Sequence, residues 1–583
     1  MVDGSNARRR PWHARVYHQP TAMIQQRLIR TIQDAAAQAA PELGLDPDDL
    51  AEPELERPRA REHGDWSTNL ALVIAPKAKR PPRQVAEAIA SNIQQEPPIT
   101  KVEVAGPGFI NLFLGPEWLH DVLREILTKQ EAYGRAQQPK GERVQVEFVS
   151  ANPTGPLHVG TARNAALGDA LADVMEAAGF EVEREYYFND AGRQFDLFGE
   201  SVEARYLQKF GVAAEIPEGG YGADYVKELA EAIAAEHGDS LLQVDPEERR
   251  KIIQTEAVQR TMDGIRETLA RFRVRMDTWA SQRMLWETGA ISEVVDRLVN
   301  EGHAYQAEGA VCFRATAFGD DKDRVLIKSN GEPTYFAADC AYLLDKVGRG
   351  FDRLIYVWGA DHHGDMARMH GVAQALGIDP RRIRILLYQL VHLSRGGEPV
   401  RMSRRSGDFV TLDELIDEVG ADAARYTLLT RSPDSPIDFD IEAVTRQSMD
   451  NPVYYVQYAH ARIASLSRVA ADQGVQIEPW ARADFGLLQH DAELELLRKL
   501  SEFPEVVDTA AATFAPHRLT RYAEDVAAAF HHFYAECRVI TDDAALTQAR
   551  LWLAAGARTV VGGALTLLGV SAPESMERIG EPA

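Results

Sequence analysis

Two short runs of residues, roughly 240 positions apart, have the composition of a nucleotide site. The first is His158-Val159-Gly160-Thr161, which follows the Pro/Gly-rich turn Asn152-Pro153-Thr154-Gly155-Pro156 where a strand pattern gives way to a helix pattern. Such a junction leaves backbone N–H groups unpaired at the positive end of a helix dipole, which suits phosphate. Gly160 has no Cβ, so a flat adenine or ribose can approach the backbone. His158 can donate from its ring to phosphate oxygens as negative charge builds on them. The second run is Arg401-Met402-Ser403-Arg404-Arg405-Ser406-Gly407, three cations among small residues. A loop of that kind can swing positive charge onto a departing pyrophosphate. A third group, Gly359-Ala360-Asp361-His362-His363-Gly364-Asp365 with His370 nearby, is open to a two-metal phosphoesterase reading. Such a site usually needs further aspartates on other strand ends, and no matching Asp-x-Asp cluster lies upstream. Taken singly, the histidine could be a helix cap and the basic run a solvated turn.

These runs need a scaffold, and the pattern around them supplies one. Residues 144–149 alternate as a strand, and a helix then carries Leu167, Leu171, Val174 and Met175 on one face and ends at Gly179. Residues 182–187 form a second strand, and the apolar run 354–358 leads into the Asp-His-His turn and another helix. Strand–helix alternation predicts a doubly wound parallel sheet of Rossmann type, with ligands at the carboxyl ends of its strands. The expected fold is multidomain α/β. Residues 1–20, with Arg8, Arg9 and Arg10, read as a mobile basic tail. Residues 21–132 form an N-terminal α/β domain, with an amphipathic helix at Ile24, Leu28 and Ile32. The turn Gly106-Pro107-Gly108 then precedes a strand at Ile110, Leu112 and Leu114. Residues 133–450 hold the sheet, with a helical insertion near 195–290 and a linker near 411–450. Residues 451–583 show only helical periodicity and read as an all-α bundle.

With 583 residues, three or four domains are expected. Hydrophobic content of 45% and charged content of 26% are ordinary for globular chains. The formal charge, 64 − 88 = −24, argues against a nucleic-acid binder if taken alone. Its distribution is uneven: residues 215–248 hold ten acids and one base (Lys227), and residues 381–405 hold seven arginines and one acid (Glu398). The arginine-rich run leads into the cationic loop and could be a phosphate-facing strip. Cys312, Cys340 and Cys537 form no C-x-x-C pair, which argues against a disulfide framework or a cysteine-based zinc site. No apolar segment follows the N-terminal arginines, and the longest uncharged stretch, 559–573, is short of the roughly 20 residues of a membrane helix. A cytoplasmic protein with no structural metal is the expectation.

The string from Glu147 through Asn164 resembles the HIGH element of class I aminoacyl-tRNA synthetases, and in detail it is similar to the arginyl-tRNA synthetases. The run 186–194 also fits that family. Thr161 departs from the pattern, standing where histidine is usual. Residues 402–407 resemble the KMSKS loop, with Arg401 and Arg404 where lysine is usual; arginine keeps the charge but meets phosphate with a planar fork. The resemblance implies catalytic roles for His158, Gly160, Thr161, Arg401, Ser403, Arg404 and Arg405. It implies ATP contacts from His158, Gly160, Thr161, Gly359, Asp361, His362, Met402 and Arg404.

The segment 334–342 resembles the family's amino-acid site, and Tyr335 and Asp339, four apart, share a helix face. By that match Asp339 binds the substrate guanidinium, Tyr335 flanks it, and Ser150 and Asn152 hold the α-amino and carboxylate groups. Glu147 and His158 belong to the same arginine site. Residues 451–462 resemble the family's anticodon-binding domain, which implies tRNA contacts from Tyr455, Gln457, Tyr458 and Met576. The segments 63–69 and 108–111 resemble its N-terminal domain, which implies that Phe109 and Asn111 meet the tRNA D-loop. The resemblance covers residues 21–576. It implies ATP with Mg2+, L-arginine and tRNA-Arg as substrates, activation that requires bound tRNA, and a monomer. Two alternatives stay open: an adenylate-forming ligase with a small acceptor, and a non-catalytic tRNA-binding paralogue.

Overall fold

The computed structural model describes residues 20–58, 60–400 and 410–576. Its central element is a five-stranded sheet of β1 (Arg143–Glu147), β2 (Glu181–Phe188), β3 (Thr278–Ser281), β4 (Arg353–Gly359) and β5 (Ile383–Tyr388). The spatial order is β5-β4-β1-β2-β3, and every pairing is parallel. Val144, Val146, Leu354 and Ile355 are fully buried, as expected of strands covered on both faces. The chain leaves β1 toward β2 on one side, and β4 pairs on the other. The crevice between the carboxyl ends of β1 and β4 is therefore the topological switch point, where doubly wound sheets bind ligands.

Three helices frame that crevice: α1 (Val159–Ala177), α2 (Tyr335–Gly348) and α3 (Asp365–Ala375). Helix α1 is buried nearly all round and lined with small residues, among them Ala162, Ala165, Ala166 and Ala170. Gly168 sets its closeness to the sheet, because a Cβ there would stand 2.2 Å from the Phe148 ring. Asn164 joins helix to strands: its side-chain oxygen accepts from Val149 N (2.7 Å) and its nitrogen donates to Val357 O (2.9 Å).

The helices Arg193–Lys209, Asp224–His237 and Pro246–Arg271 pack round a core of their own, including Phe198, Val202, Tyr206, Val226 and Ile253. The acidic run covers much of this unit's outer surface. The stretch read as wholly helical ends differently, since Thr278–Ser281 is the edge strand β3 of the parallel sheet. Four residues without alternation are too few to carry a strand signal. Two small three-stranded additions, one antiparallel and one mixed, also escaped the pattern. One is Ala304–Ala307, Ala310–Phe313 and Arg324–Ile327; the other pairs Val391–Arg395 with Glu398–Pro399 and, in parallel, with Ile437–Asp440.

The N-terminal part is a four-stranded antiparallel sheet backed by the helices Pro20–Leu43, Leu70–Ala78 and Pro82–Asn92. Its buried centre includes Leu28, Ile32, Trp66, Ile110 and Leu112. From residue 452 onward the described chain is helical, with α4 (Pro452–Asp472), α5 (His517–Glu536) and α6 (Ala544–Leu567) as its longest members. The two ends of the molecule meet: Arg498 bonds Asp65 (3.2 Å) and Arg57 bonds Glu505 (3.4 Å). Among the described residues no helix is long and apolar enough to cross a membrane.

A single guanidinium ties three regions together. Arg425, fully buried, pairs with Asp169 of α1 (2.6 Å), donates to the carbonyls of Phe272 (2.9 Å) and Arg273 (3.2 Å), and reaches Leu568 O just beyond α6 (3.1 Å).

Candidate active site

His158 is the N-cap residue of α1, in extended backbone conformation, and Thr161 N donates to its carbonyl (2.8 Å). Its ring lies over Gly160: a Cβ at that glycine would stand 2.8 Å from the imidazole Cε1 and Nδ1. A side chain at 160 would therefore have to displace the histidine ring. Thr161 is buried in the first turn. Arg401, Met402, Ser403, Arg404 and Arg405 lie outside the described residues. The residues 410–412, which follow that run, are at His158: Val159 N donates to Val410 O (3.1 Å), Leu412 N donates to Leu157 O (2.8 Å), and His158 and Thr411 form a β-bridge. Residues 157–159 and 410–412, far apart in sequence, therefore meet at the amino end of one helix.

Beyond β1 the backbone is strained. Val149 has φ 65° and Ser150 φ 44°, a conformation that costs of order 1–3 kcal/mol for residues with side chains, most for a β-branched one. The bend presents Ser150, whose hydroxyl donates to Glu147 Oε1 (3.2 Å) and accepts from Tyr187 N (3.1 Å). Asn152 donates to Gln194 (3.0 Å). Glu147 is buried, and its other carboxylate oxygen receives Lys346 Nζ at 2.5 Å.

Tyr335 and Asp339 do share one face at the start of α2, where Thr334 caps the helix by accepting from Ala337 N. Tyr335 is 54% exposed, and its hydroxyl lies near Gly192, 3.7 Å from where a Cβ there would sit. Asp339 is half-buried, and among the described residues no ion pair reaches it. Burial, with Glu147 and Asp365 nearby, pushes its carboxyl up to about 7, against the pull of Arg368 and Lys346. The site thus contains one carboxylate held on both oxygens and one uncommitted acid.

At the end of β4, Gly359 caps a short 3-10 turn, Ala360–His362, and its missing Cβ makes room for the Asp361 carboxylate. Asp361 is largely exposed, and His362 Nδ1 lies 2.9 Å from Asp365, which also pairs with Arg368 (2.9 Å). Among the described residues no three His, Cys, Asp or Glu side chains converge as metal ligands.

The outlying positions divide. Phe109 is half-buried beside its turn, but Asn111, expected at the tRNA surface, is 4% exposed and accepts from Ser67 Oγ (2.8 Å). Gln457, also expected to face tRNA, is buried; its amide donates to Asp422 (3.0 Å) and to Ser571 O (2.9 Å). Both occupy positions where the surrounding strand or helix is covered, so each serves the fold. Met576 is half-buried. Tyr455 and Tyr458 are half-exposed and belong to an aromatic group on α4 and α5. Tyr458 stacks on Tyr454 at 5.9 Å, His531 lies 5.0 Å from Tyr455 and 6.2 Å from Tyr458, and Arg462 covers Tyr534 at 4.2 Å. His531 was missed by the sequence reading, although the run 530–534 is conspicuously aromatic. Its Nε2 is buried with no hydrogen-bond partner among the described residues, and burial, with Arg462 nearby, pushes its pKa down to about 4.

Three family models match consecutive parts of the chain: arginyl tRNA synthetase N terminal domain over residues 24–114, tRNA synthetases class I (R), catalytic domain over 122–463, and DALR anticodon binding domain over 456–576. An arginine–tRNA ligase from Moorella thermoacetica is 49% identical over 94% of this chain and 98% of its own length. One from Desulforamulus reducens is 49% identical over 95% and 99%. Among solved structures, a Campylobacter jejuni chain described as an arginyl t-RNA synthetase is 32% identical with a TM-score of 0.73, over 79% of this chain and 100% of its own. Thermus thermophilus arginyl-tRNA synthetase, 24% identical over 94% of this chain and 100% of its own, has the same fold with a TM-score of 0.72.

Proposed function

We infer the chemistry from family membership: the chain belongs to the arginyl-tRNA synthetases, class I arginine–tRNA ligases. It activates L-arginine with ATP and transfers the arginyl group to the 3′-terminal adenosine of tRNA. In the first step an arginine carboxylate oxygen attacks the α-phosphorus of ATP, the bond to the bridging oxygen of the β-phosphate breaks, and pyrophosphate leaves. In the second, a ribose hydroxyl attacks the arginyl carbonyl carbon, the acyl–phosphate bond breaks, AMP leaves and the hydroxyl proton is released. No covalent enzyme intermediate is needed. Positioning and charge stabilisation carry both steps.

For the residues we propose these roles. Asp339 receives the guanidinium, Tyr335 closes over it at the mouth, and Glu147, Ser150 and Asn152 hold the rest of the amino acid. His158 donates to the α-phosphate as charge builds there, with Gly160 and Thr161 shaping the first turn of α1. Gly359, Asp361 and His362 face adenosine. Arg401, Arg404 and Arg405, with Met402 and Ser403, meet the leaving pyrophosphate; the contacts of Val410 and Thr411 with the His158 segment support that reading. ATP enters as its magnesium complex, the cation travelling with the phosphates. The aromatic planes of Tyr455, Tyr458 and His531 take unstacked anticodon bases, and Phe109 meets the D-loop.

The observation that carries the choice of amino acid is the acid pair: Glu147 is fixed on both oxygens, and among the described residues Asp339 has no ion-pair partner. A semi-buried carboxylate of this kind asks for a planar, permanently charged group. The test is pyrophosphate exchange and aminoacylation of total tRNA against a panel of amino acids. Turnover with arginine alone, dependent on tRNA, is expected. Exchange with lysine would overturn the assignment of Asp339.

A further inference from the structure

We propose that Lys346, buried beneath the amino-acid site, is a positioning residue for arginine: it pins Glu147 from below, pairs with that carboxylate, and so leaves Asp339 as the acid that the substrate guanidinium satisfies. The proposal rests on the reading of the arginine pocket given above.

Lys346 is 0% exposed. An ammonium in such a place is costly unless it is paired. Its partner is Glu147, with Nζ 2.5 Å from Oε2, and the Tyr356 and Tyr342 rings flank Nζ at 4.1 and 4.3 Å. The other oxygen of Glu147 receives Ser150, so the lysine below and the serine above hold the carboxylate at a fixed angle. Lys346 follows Asp339 by seven residues, two turns further along the same face of α2. The neighbouring acid on β2, Glu185, has its own partners in Tyr342 and Arg349, the latter at 2.6 and 3.0 Å, and makes no claim on Lys346.

The charge count gives the lysine a purpose. Glu147 balances Lys346, and Asp365 balances Arg368. Of these three acids only Asp339 is left over among the described residues, which matches the single positive charge of an arginine side chain. Without Lys346, two uncompensated carboxyls would face one guanidinium and hold each other's protons.

The test is tRNA-supported pyrophosphate exchange from pH 6 to 8.5, reading kcat and the KM for arginine in wild type, Lys346→Met, Lys346→Gln, Lys346→Arg and Asp339→Asn. The groups that face this site are Glu147 on β1, Glu185 and Tyr187 on β2, Asp190 just beyond it, Tyr356 on β4, Tyr342 on α2, Arg349 just beyond it, and Asp365 and Arg368 on α3. All are unchanged in the lysine variants. Loss of the cation is expected to raise the KM at least about tenfold with kcat within about threefold, and to move the midpoint of kcat/KM against pH upward by about one unit, as removal of an opposite charge should. Lys346→Arg should keep the wild-type midpoint. Should Lys346→Met fail to give folded protein by thermal melting, Lys346→Gln is read the same way, since it keeps an N–H for Glu147 but not the charge. A folded neutral variant with an unmoved midpoint, or one that loses kcat and kcat/KM equally, overturns the proposal. If Asp339→Asn raises the KM while the lysine variants are silent, the lysine proposal alone falls. If Asp339→Asn is silent too, the pocket reading fails and the proposal falls with it.

Discussion

Replacing Asp339 with asparagine should make the enzyme worse and the free protein more stable. The carboxyl is raised from 3.8 to about 7, chiefly by burial, so the folded protein binds its proton more tightly than the unfolded chain does. For an acid shifted in this direction, the charge costs the fold nothing below the unfolded value. The cost grows as pH rises from there to about 7, and is present in full at pH 8. A shift of about three units corresponds to an upper bound of about 4 kcal/mol, and partial solvent access reduces this to about 2 kcal/mol. Asparagine keeps the shape and removes the charge. Its Tm at pH 8 should rise by about 2–5 °C, and by roughly half as much at pH 5.5, where the wild-type acid is largely protonated. The opposite sign is expected for arginine. Loss of a charge-assisted bond to the guanidinium, with Glu147 still present, costs about 3 kcal/mol, or roughly a hundredfold in KM. The two assays are thermal melting of the free protein at both pH values and the arginine KM in pyrophosphate exchange. A KM unchanged by the substitution would refute the pocket. A Tm that falls, or rises equally at both pH values, would refute the electrostatic reasoning while leaving the pocket intact.

Three further outcomes are expected. His158→Ala should lower kcat by about 10²–10³, as loss of an oxyanion donor of about 2.7–4 kcal/mol does, with the arginine KM moving far less; steady-state exchange at saturating ATP reads both. Arg401→Ala and Arg404→Ala, made separately, should each slow adenylate formation in single-turnover measurements, and if neither does, Arg405 is the cation that meets pyrophosphate. Arg425→Met leaves buried Asp169 with Arg184 alone, 3.8 Å away, and should cost about 3 kcal/mol, seen as a lowered Tm; a melt indistinguishable from wild type would remove the strut from the account.

The parts of the site built from contiguous chain could be read in advance. The strand, turn and helix around His158 announce themselves because hydrophobic period switches there from 2 to 3.6 across a Pro/Gly turn. The same holds for β4 and its Asp-His-His turn. Tyr335 and Asp339 were legible as a pair because helix geometry alone puts them on one face. What could not be read depends on contacts across the fold. Lys346 looks like an ordinary helix lysine until β1 brings Glu147 against it. The strain at Val149 has no signature in composition, since valine is a residue that one would not choose for positive φ. Asn111 and Gln457 are polar residues on elements covered from outside, and burial of that sort is invisible to periodicity. Strands as short as Thr278–Ser281, or paired only with distant partners, offer too few residues for a pattern.

The buried guanidinium of Arg425 has a consequence for how the chain is made. Synthesis runs from the amino end at about 5–20 residues per second. Asp169 and the carbonyls of Phe272 and Arg273 are already present when Arg425 is added, but Leu568, its last acceptor, follows 143 residues later. For about 7–30 seconds at those rates the nascent catalytic sheet holds a charged strut with one donor still unmet. The last bond of this strut therefore forms only once the helical end of the protein has been made.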